Sequence, residues 1–279
     1  MTTTIESSRE RFFSLVAARP VIMGIVNVTP DSFSDGGRFF APEAALAQAQ
    51  KLAADGADIV DVGAESTRPG HTPLTAEEEW SRLAPLLETL VAQCGVPVSI
   101  DTYKAQTARR ALAAGVTIIN DIWGLQRDFD MAPAIAEAGA GVVVMHNRAD
   151  VAPDIDIVSD MLGFFERSLE IAVAAGVPES RVILDPGVGF GKTREQDFAA
   201  LRGVPQLLRF GLPVLIGVSR KRLFGALLGA EVDARLIATV AANLIAALEG
   251  ARIFRVHDAA EHRAAFAVLD TLTQGKGRI

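Results

Sequence analysis

The sequence predicts a single-domain α/β protein, a (β/α)8 TIM barrel, on three observations. An alanine-rich helical stretch, a Gly and a β-branched run ending in a polar residue recur along the chain. Examples are KLAADG-ADIVDVG, ALAAG-VTIIND, AIAEAG-AGVVVMH, IAVAAG-VPESRVILD and IAALEG-ARIFRVH. The β-branched runs are continuously apolar rather than alternating, which suits strands buried on both faces of a parallel sheet. No composition break divides the 279 residues, and α/β barrels commonly reach that length as one domain.

Taken in order, residues 1–19 form an N-terminal extension and residues 20–279 the barrel. The stretch MTTTIESSRERFF lacks the apolar run of a signal peptide. Strands are expected near 21–28, 59–63, 96–101, 116–121, 141–146, 182–185, 213–219 and 253–257, each followed by a helical pattern. The recurring Gly suits the left-handed position that closes a helix. The acidic run at 77–79 reads as a first helical turn stabilised by the helix dipole. A doubly wound open sheet is the alternative arrangement of the same units.

In a barrel the C-terminal strand ends surround one mouth, where active sites form. Those ends here are Asn27, Asp61, Asp101, Asn120-Asp121, His146-Asn147, Asp185, Ser219 and Arg255-Val256-His257. Any one of them could cap a helix or a turn. Together they describe a polar pocket, to which Arg68, Lys221, Arg255 and His257 add a cationic side suited to an anionic substrate.

The segment DPGVGFGKT (185–193) invites comparison with a nucleotide-binding P-loop, but the spacing fails. A P-loop places its first Gly five positions before the second, and that position here is Pro186. Gly187, Gly189 and Gly191 are spaced by two throughout, which also excludes the dinucleotide fingerprint. Lys192 and Thr193 then read as a solvated loop entering the next helix. A net charge of −7 argues against a nucleic-acid or anionic-membrane surface, and no run approaches a membrane-spanning length. Cys94, the one cysteine, reads as a buried residue near a helix end in a protein of the reducing cytoplasm. His71 reads as loop surface, His262 as solvent-facing, and His146 as a structural strand-end residue rather than a zinc ligand.

These motifs resemble the dihydropteroate synthase family of pterin-binding proteins. The matching stretches are MGIVNVTPDSFSDGG (23–37), DIVDVGAESTRPG (58–70), SIDTYKA (99–105), INDIWG (119–124), VVVMHN (142–147), ILDPGVGFGKT (183–193), GVSRK (217–221) and RVHD (255–258), so the resemblance runs from the first strand to the eighth. It implies a barrel, usually a homodimer, that joins p-aminobenzoate to a dihydropterin-methyl diphosphate on the folate pathway and is a target of sulfonamides. It further implies Asn27 as the contact for a Mg²⁺ ion, and Asn27, Asp101, Lys221 and Arg255 as catalytic. Arg68, Arg255 and His257, with Thr67 nearby, would meet the diphosphate. Asp101, Asn120, Asp185 and Lys221 would form the pterin pocket, and Met145 and Gly217 would also bind substrate. Pro69, Phe190 and Ser219 would line the aminobenzoate site, with Phe33 on a loop closing over it. Asp185 would offer its carboxylate to the two-donor edge of the pterin. Two stretches depart from the family pattern: Arg222 stands where many relatives carry Ser, and RADVAPDIDIV after Asn147 replaces a Gly-Thr-Pro type continuation. A pterin-binding methyltransferase module and a non-catalytic paralogue are the competing readings.

Overall fold

The structure, a computed structural model, describes residues 2–28, 42–66, 72–229 and 231–273. Its strands are β1 (Val21–Asn27), β2 (Ile59–Gly63), β3 (Val98–Asp101), β4 (Ile118–Asp121), β5 (Gly141–Met145), β6 (Val182–Asp185), β7 (Leu215–Ile216) and β8 (Ile253–Val256). All neighbours pair in parallel, in the order β6-β5-β4-β3-β2-β1-β8-β7. A parallel bridge from Leu184 to Val214 brings β6 against the segment entering β7, so the strands run round a barrel. The helices are α1 (Thr2–Ala18), α2 (Pro42–Ala54), α3 (Ala76–Gln93), α4 (Ala105–Ala113), α5 (Met131–Ala138), α6 (Ile157–Ala175), α7 (Arg194–Arg202), α8 (Val204–Leu207), α9 (Arg222–Leu228), α10 (Leu236–Leu248) and α11 (Ala259–Thr273). No described helix is long and apolar enough to cross a membrane.

Local chemistry sets several boundaries. Thr75 caps α3 in a capping box with Glu78, and Thr193 caps α7 with Gln196 in the same way. Gly139 and Gly176 close α5 and α6 in the left-handed conformation. The acidic run at the start of α3 divides three ways. Glu78 serves the cap, Glu77 pairs with Arg110, and Glu79 is buried with Thr102 donating to it at 2.9 Å. The reading of a simple dipole-stabilised turn therefore holds for one face of the helix and fails for Glu79. The seventh strand is far shorter than 213–219. Pro213 has no N–H to give, and Val214 O accepts from both Arg252 and Ile253, so regular pairing is left to Leu215 and Ile216.

Two apolar clusters result from strands buried on both faces. One lies between the barrel and its helices. The other fills the barrel's lower interior with Val21, Met23, Ile59, Ile118, Val143, Ile183, Leu215 and Ile253. Residues of α1 belong to this second cluster. Phe12 and Val16 are buried in it, and Arg9 donates to the carbonyls of Ala138 and Gly139 at 2.8 and 2.9 Å. A Cβ on Gly141 would stand 3.0 Å from the Phe13 ring, so that glycine makes room for the helix. The N-terminal extension is thus the stopper of the barrel's N-terminal end.

His146, just beyond β5, is the structural residue the sequence suggested. Its ring is fully buried, with Nε2 3.0 Å from an Asp160 oxygen and the Phe164 ring 5.0 Å away edge-on. Burial pushes its pKa down from 6.5 to about 4.

Two predictions follow from this packing. Phe12→Ala should cost about 3–5 kcal/mol in denaturant unfolding, the usual loss for a large aromatic removed from a core. A loss below about 1 kcal/mol would reduce α1 to an appendage. His146 is held neutral, so its contribution is complete above about pH 6.5 and is lost as pH falls toward 4. His146→Gln should flatten the stability curve across that window, and a slope equal to wild type would contradict it.

Candidate active site

Side chains alternate along a strand, so the inward positions above the apolar floor lie two residues further on. From Ile59 this leads to Asp61 and Gly63, and from Ile118 to Asn120. From Val143 it leads to Met145, from Ile183 to Asp185, from Leu215 to Gly217 and from Ile253 to Arg255 and His257. Register places Asp61 beside Ser99, Asp101 beside both Gly63 and Asn120, and Met145 beside Asp185. One pleat thus separates a dry floor from a ring of polar groups. Asn27 ends β1, exposed at the rim.

Asp61 is the centre of that ring, and the sequence reading missed this role. Its carboxylate is fully buried and accepts from Ser99 Oγ at 2.6 Å, Asn120 Nδ2 at 3.0 Å and Arg255 Nε at 2.6 Å. Arg255 Nη2 reaches on to Asp101 at 3.0 Å. The available signal was an Asp inside the otherwise apolar run of β2. Burial, with Asp61 close by, holds Asp101 well above the usual carboxylate range against the pull of Arg255. Asn120 turns its Nδ2 to Asp61, which leaves its Oδ1 buried without a hydrogen-bond partner among the described residues.

A second group surrounds Asp185. Oδ1 accepts from Gly187 N at 2.7 Å, while Oδ2 takes no hydrogen bond from the described residues. Burial raises its pKa, opposed by Lys221. Lys221 in turn is lowered to about 8, by burial first. Its ammonium donates to Val188 O and stands 4.8 Å from the centre of the Phe190 ring. Gly217 leaves space beside Asp185, where a Cβ would lie 3.6 Å from Oδ2. Ser219 Oγ is 2.9 Å from His257 Nδ1 and accepts from His257 N at 3.2 Å. The structure therefore gathers Asp101, Asn120, Met145, Asp185, Phe190, Gly217, Ser219, Lys221, Arg255 and His257 at one end of the barrel. Phe33, Thr67, Arg68, Pro69 and His71 lie outside the described residues.

Two readings need correction. Lys192 is not solvated: its ammonium is buried and donates to Gly187 O at 2.8 Å, Phe190 O at 3.1 Å and His146 O at 3.3 Å. His262 does not face solvent. It is fully buried between Asn243, 3.0 Å from Nε2, and the carbonyl of Asp258, 2.7 Å from Nδ1. Its charged sequence neighbours misled, because Glu261 and Arg263 lie on other faces of α11. Cys94 is buried at the end of α3 as expected. Arg222 is exposed at the first position of α9, and Arg148, from the divergent loop, pairs with Asp160 at 2.7 Å.

Known proteins share this chain's sequence and fold. The family of pterin binding enzymes matches residues 23–257. A dihydropteroate synthase from Clostridium beijerinckii is 42% identical over 260 residues, 93% of this chain and 96% of that one. A Clostridium difficile dihydropteroate synthase solved in the presence of pteroic acid superposes with a TM-score of 0.88 at 44% identity, covering 91% of this chain and 97% of its own. A Xanthomonas albilineans dihydropteroate synthase solved with 4-aminobenzoic acid gives 0.87 at 44% identity, covering 91% and 93%. With its sequence and fold both of this kind, the chain belongs to the dihydropteroate synthase family of pterin-binding enzymes.

Proposed function

We propose that the barrel mouth joins p-aminobenzoate to the methylene carbon of a dihydropterin-methyl diphosphate, giving dihydropteroate and diphosphate. One observation carries this most directly: the buried pocket holds acceptors that the protein itself leaves unpaired. Among the described residues Asn120 Oδ1 has no partner, and Asp185 keeps Oδ2 after Oδ1 is used by Gly187. An unpaired buried acceptor costs roughly 1–3 kcal/mol. A flat heterocycle bearing N–H and NH₂ donors would supply partners of the kind these acceptors lack.

The bond that forms is between the aminobenzoate nitrogen and the pterin methylene. The C–O bond to diphosphate breaks, its electron pair leaves with the diphosphate, and the amine releases a proton. Charge grows on the leaving group while the pterin becomes electron-poor, so the site's task is positioning and charge stabilisation. Arg255 is fixed by two carboxylates yet uses only Nε and Nη2 for them. Its remaining N–H groups suit phosphoryl oxygens, alongside His257 and, by family resemblance, Thr67 and Arg68. Lys221, by resemblance in the pterin pocket, sits over Phe190, by resemblance on the aminobenzoate side. Ser219, Pro69 and Phe33 complete the aminobenzoate side by resemblance.

The donor set fits a Mg²⁺ ion that arrives with the diphosphate. Asn27 offers one exposed amide oxygen at the rim, and among the described residues no group of three His, Cys, Asp or Glu is placed to hold a metal. Mg²⁺ bound through phosphate oxygens and waters needs only one or two protein ligands. Asn27 would hold it, and the ion would neutralise charge on the departing diphosphate.

We also propose a homodimer. Ile237, Ile245 and Leu248 form one exposed stripe on α10, and Val268 and Leu272 are exposed on α11, which packs beside it. Contiguous apolar surface of this kind usually marks an interface. The one cysteine fits a reducing compartment, and the cytoplasm is the proposed location.

The deciding assay is diphosphate release. It should require both substrates and stop with EDTA until Mg²⁺ is restored; release that ignores p-aminobenzoate would sink the reading. Asp185→Asn gives a sharper test of recognition. Gly187 N–H already holds Oδ1, so an Asn keeps its carbonyl there and turns NH₂ toward the ligand's donors. Melting should be nearly unchanged while pterin binding weakens at least about tenfold by calorimetry, equivalent to about 1.4 kcal/mol. Equal affinity would return Asp185 to the role of a turn cap. For the dimer, Ile245→Glu should halve the mass seen by light scattering, and a monomeric wild type would refute the interface.

A further inference from the structure

The turn after β6 is held by four charged side chains, of which the proposed reaction uses only two. Asp185 accepts from Gly187 N, and Lys221 donates to Val188 O. Asp197, on α7, accepts from Gly189 N at 2.6 Å, and Lys192 donates to Gly187 O and Phe190 O. Lys192 also reaches His146 O, which ties the turn to the end of β5. The two are pressed together there: a Cβ on Gly187 would fall 1.8 Å from His146 O.

We propose that Lys192 is a positioning residue for the synthase reaction, its ammonium gathering three carbonyls so that Asp185 and Phe190 meet their ligands in fixed places. The inference rests on the functional reading above. Three acceptors around one nitrogen require three N–H donors, which the ammonium has and a neutral amine lacks. Burial pushes the Lys192 pKa down to about 7, with Asp197 and Asp185 opposing that fall. Without the ammonium, the carbonyls of Gly187, Phe190 and His146 lose a partner together. The release acts at both ends of the turn. At Gly187 it frees the residue whose N–H caps Asp185, and at Phe190 it frees the residue whose ring lies under Lys221. Both substrates should therefore feel the loss. The diphosphate contacts, which lie on other strands, should not.

The experiment compares wild type, Lys192→Met and Lys192→Arg in three measurements on the folded protein. These are the affinity for a hydroxymethylpterin, KM for p-aminobenzoate, and the affinity for Mg²⁺-diphosphate alone. Lys192→Met should weaken pterin at least about tenfold and raise the aminobenzoate KM several-fold, leaving diphosphate affinity within about twofold, since a shift of 1.4 kcal/mol is tenfold. Lys192→Arg, with charge and donors restored but spread over three nitrogens, should fall between. A purely structural lysine would lower the melting temperature and leave both affinities of the folded fraction unchanged, which would overturn the proposal. So would an equal loss of all three affinities. Should Lys192→Met not fold, Lys192→Gln retains two donors and should weaken pterin by at least about threefold; unchanged affinity there overturns the proposal as well. A wild type that binds no pterin would overturn this inference together with the functional reading, whereas an active wild type with an unaffected variant overturns this one alone.

Discussion

A carboxylate buried inside the barrel, that of Asp61, orders the rest of the site. Removing such a charge from water costs several kcal/mol, and only close, well-formed partners offset it. Ser99, Asn120 and Arg255 are those partners, from three different strands. Each is oriented by what it gives to Asp61. Asn120 must present its oxygen elsewhere because its nitrogen is committed. Arg255 must lie across the barrel, since Nε goes to Asp61 and Nη2 to Asp101. The outward amide oxygen of Asn120 and the pose of Arg255 are consequences of one buried charge being satisfied.

That arrangement also explains how a stable barrel carries an unstable site. Below Asp61 the interior is apolar and stoppered by Phe12 and Val16 of α1. Above it, polar groups are held with unmet hydrogen bonds and with Asp101 and Lys221 away from their ordinary titration ranges. The cost of the upper layer is borne by the lower one. Perturbed carboxylates and amines gathered at one mouth are the pattern expected where charge must be handled.

The barrel was legible in the sequence because strands buried on both faces must be apolar throughout, and the glycines that end the helices mark the repeat. Site residues at strand ends were legible for the same reason: a polar residue closing an apolar run has few places to go. What could not be read were partnerships across the barrel. Arg255 meets Asp61 194 positions earlier in the chain, and nothing local in either segment announces the other. Lys192 and His262 failed from the opposite side. Their sequence neighbours are polar, so both looked solvated, yet Lys192 turns in to the carbonyls of its own loop and of His146, and His262 turns in to Asn243 on α10. Glu79 is a third case, since the helix dipole accounted for its neighbours but not for Thr102 beneath it. Local chemistry predicts caps and turns well, and it is silent on which charges meet.

The glycine-rich turn that resembles a P-loop shows how far chemistry can differ at similar spacing. Gly187, Gly189 and Gly191 all have positive φ, at 65°, 85° and 58°, and such backbones turn N–H groups outward to hold anions. Here the anions are the protein's own. Asp185 takes the N–H of Gly187, and Asp197 takes that of Gly189. The lysine that would reach a phosphate in a nucleotide site points inward and is occupied by carbonyls. A phosphate approaching this turn would meet two carboxylates and no available cation from Lys192. What the turn offers instead is Asp185 Oδ2 and the Phe190 ring, a carboxylate edge and a flat apolar wall. That combination suits a planar ligand with a donor at its edge, and in the proposed reaction the anionic end of the substrate falls to Arg255, two strands away on β8.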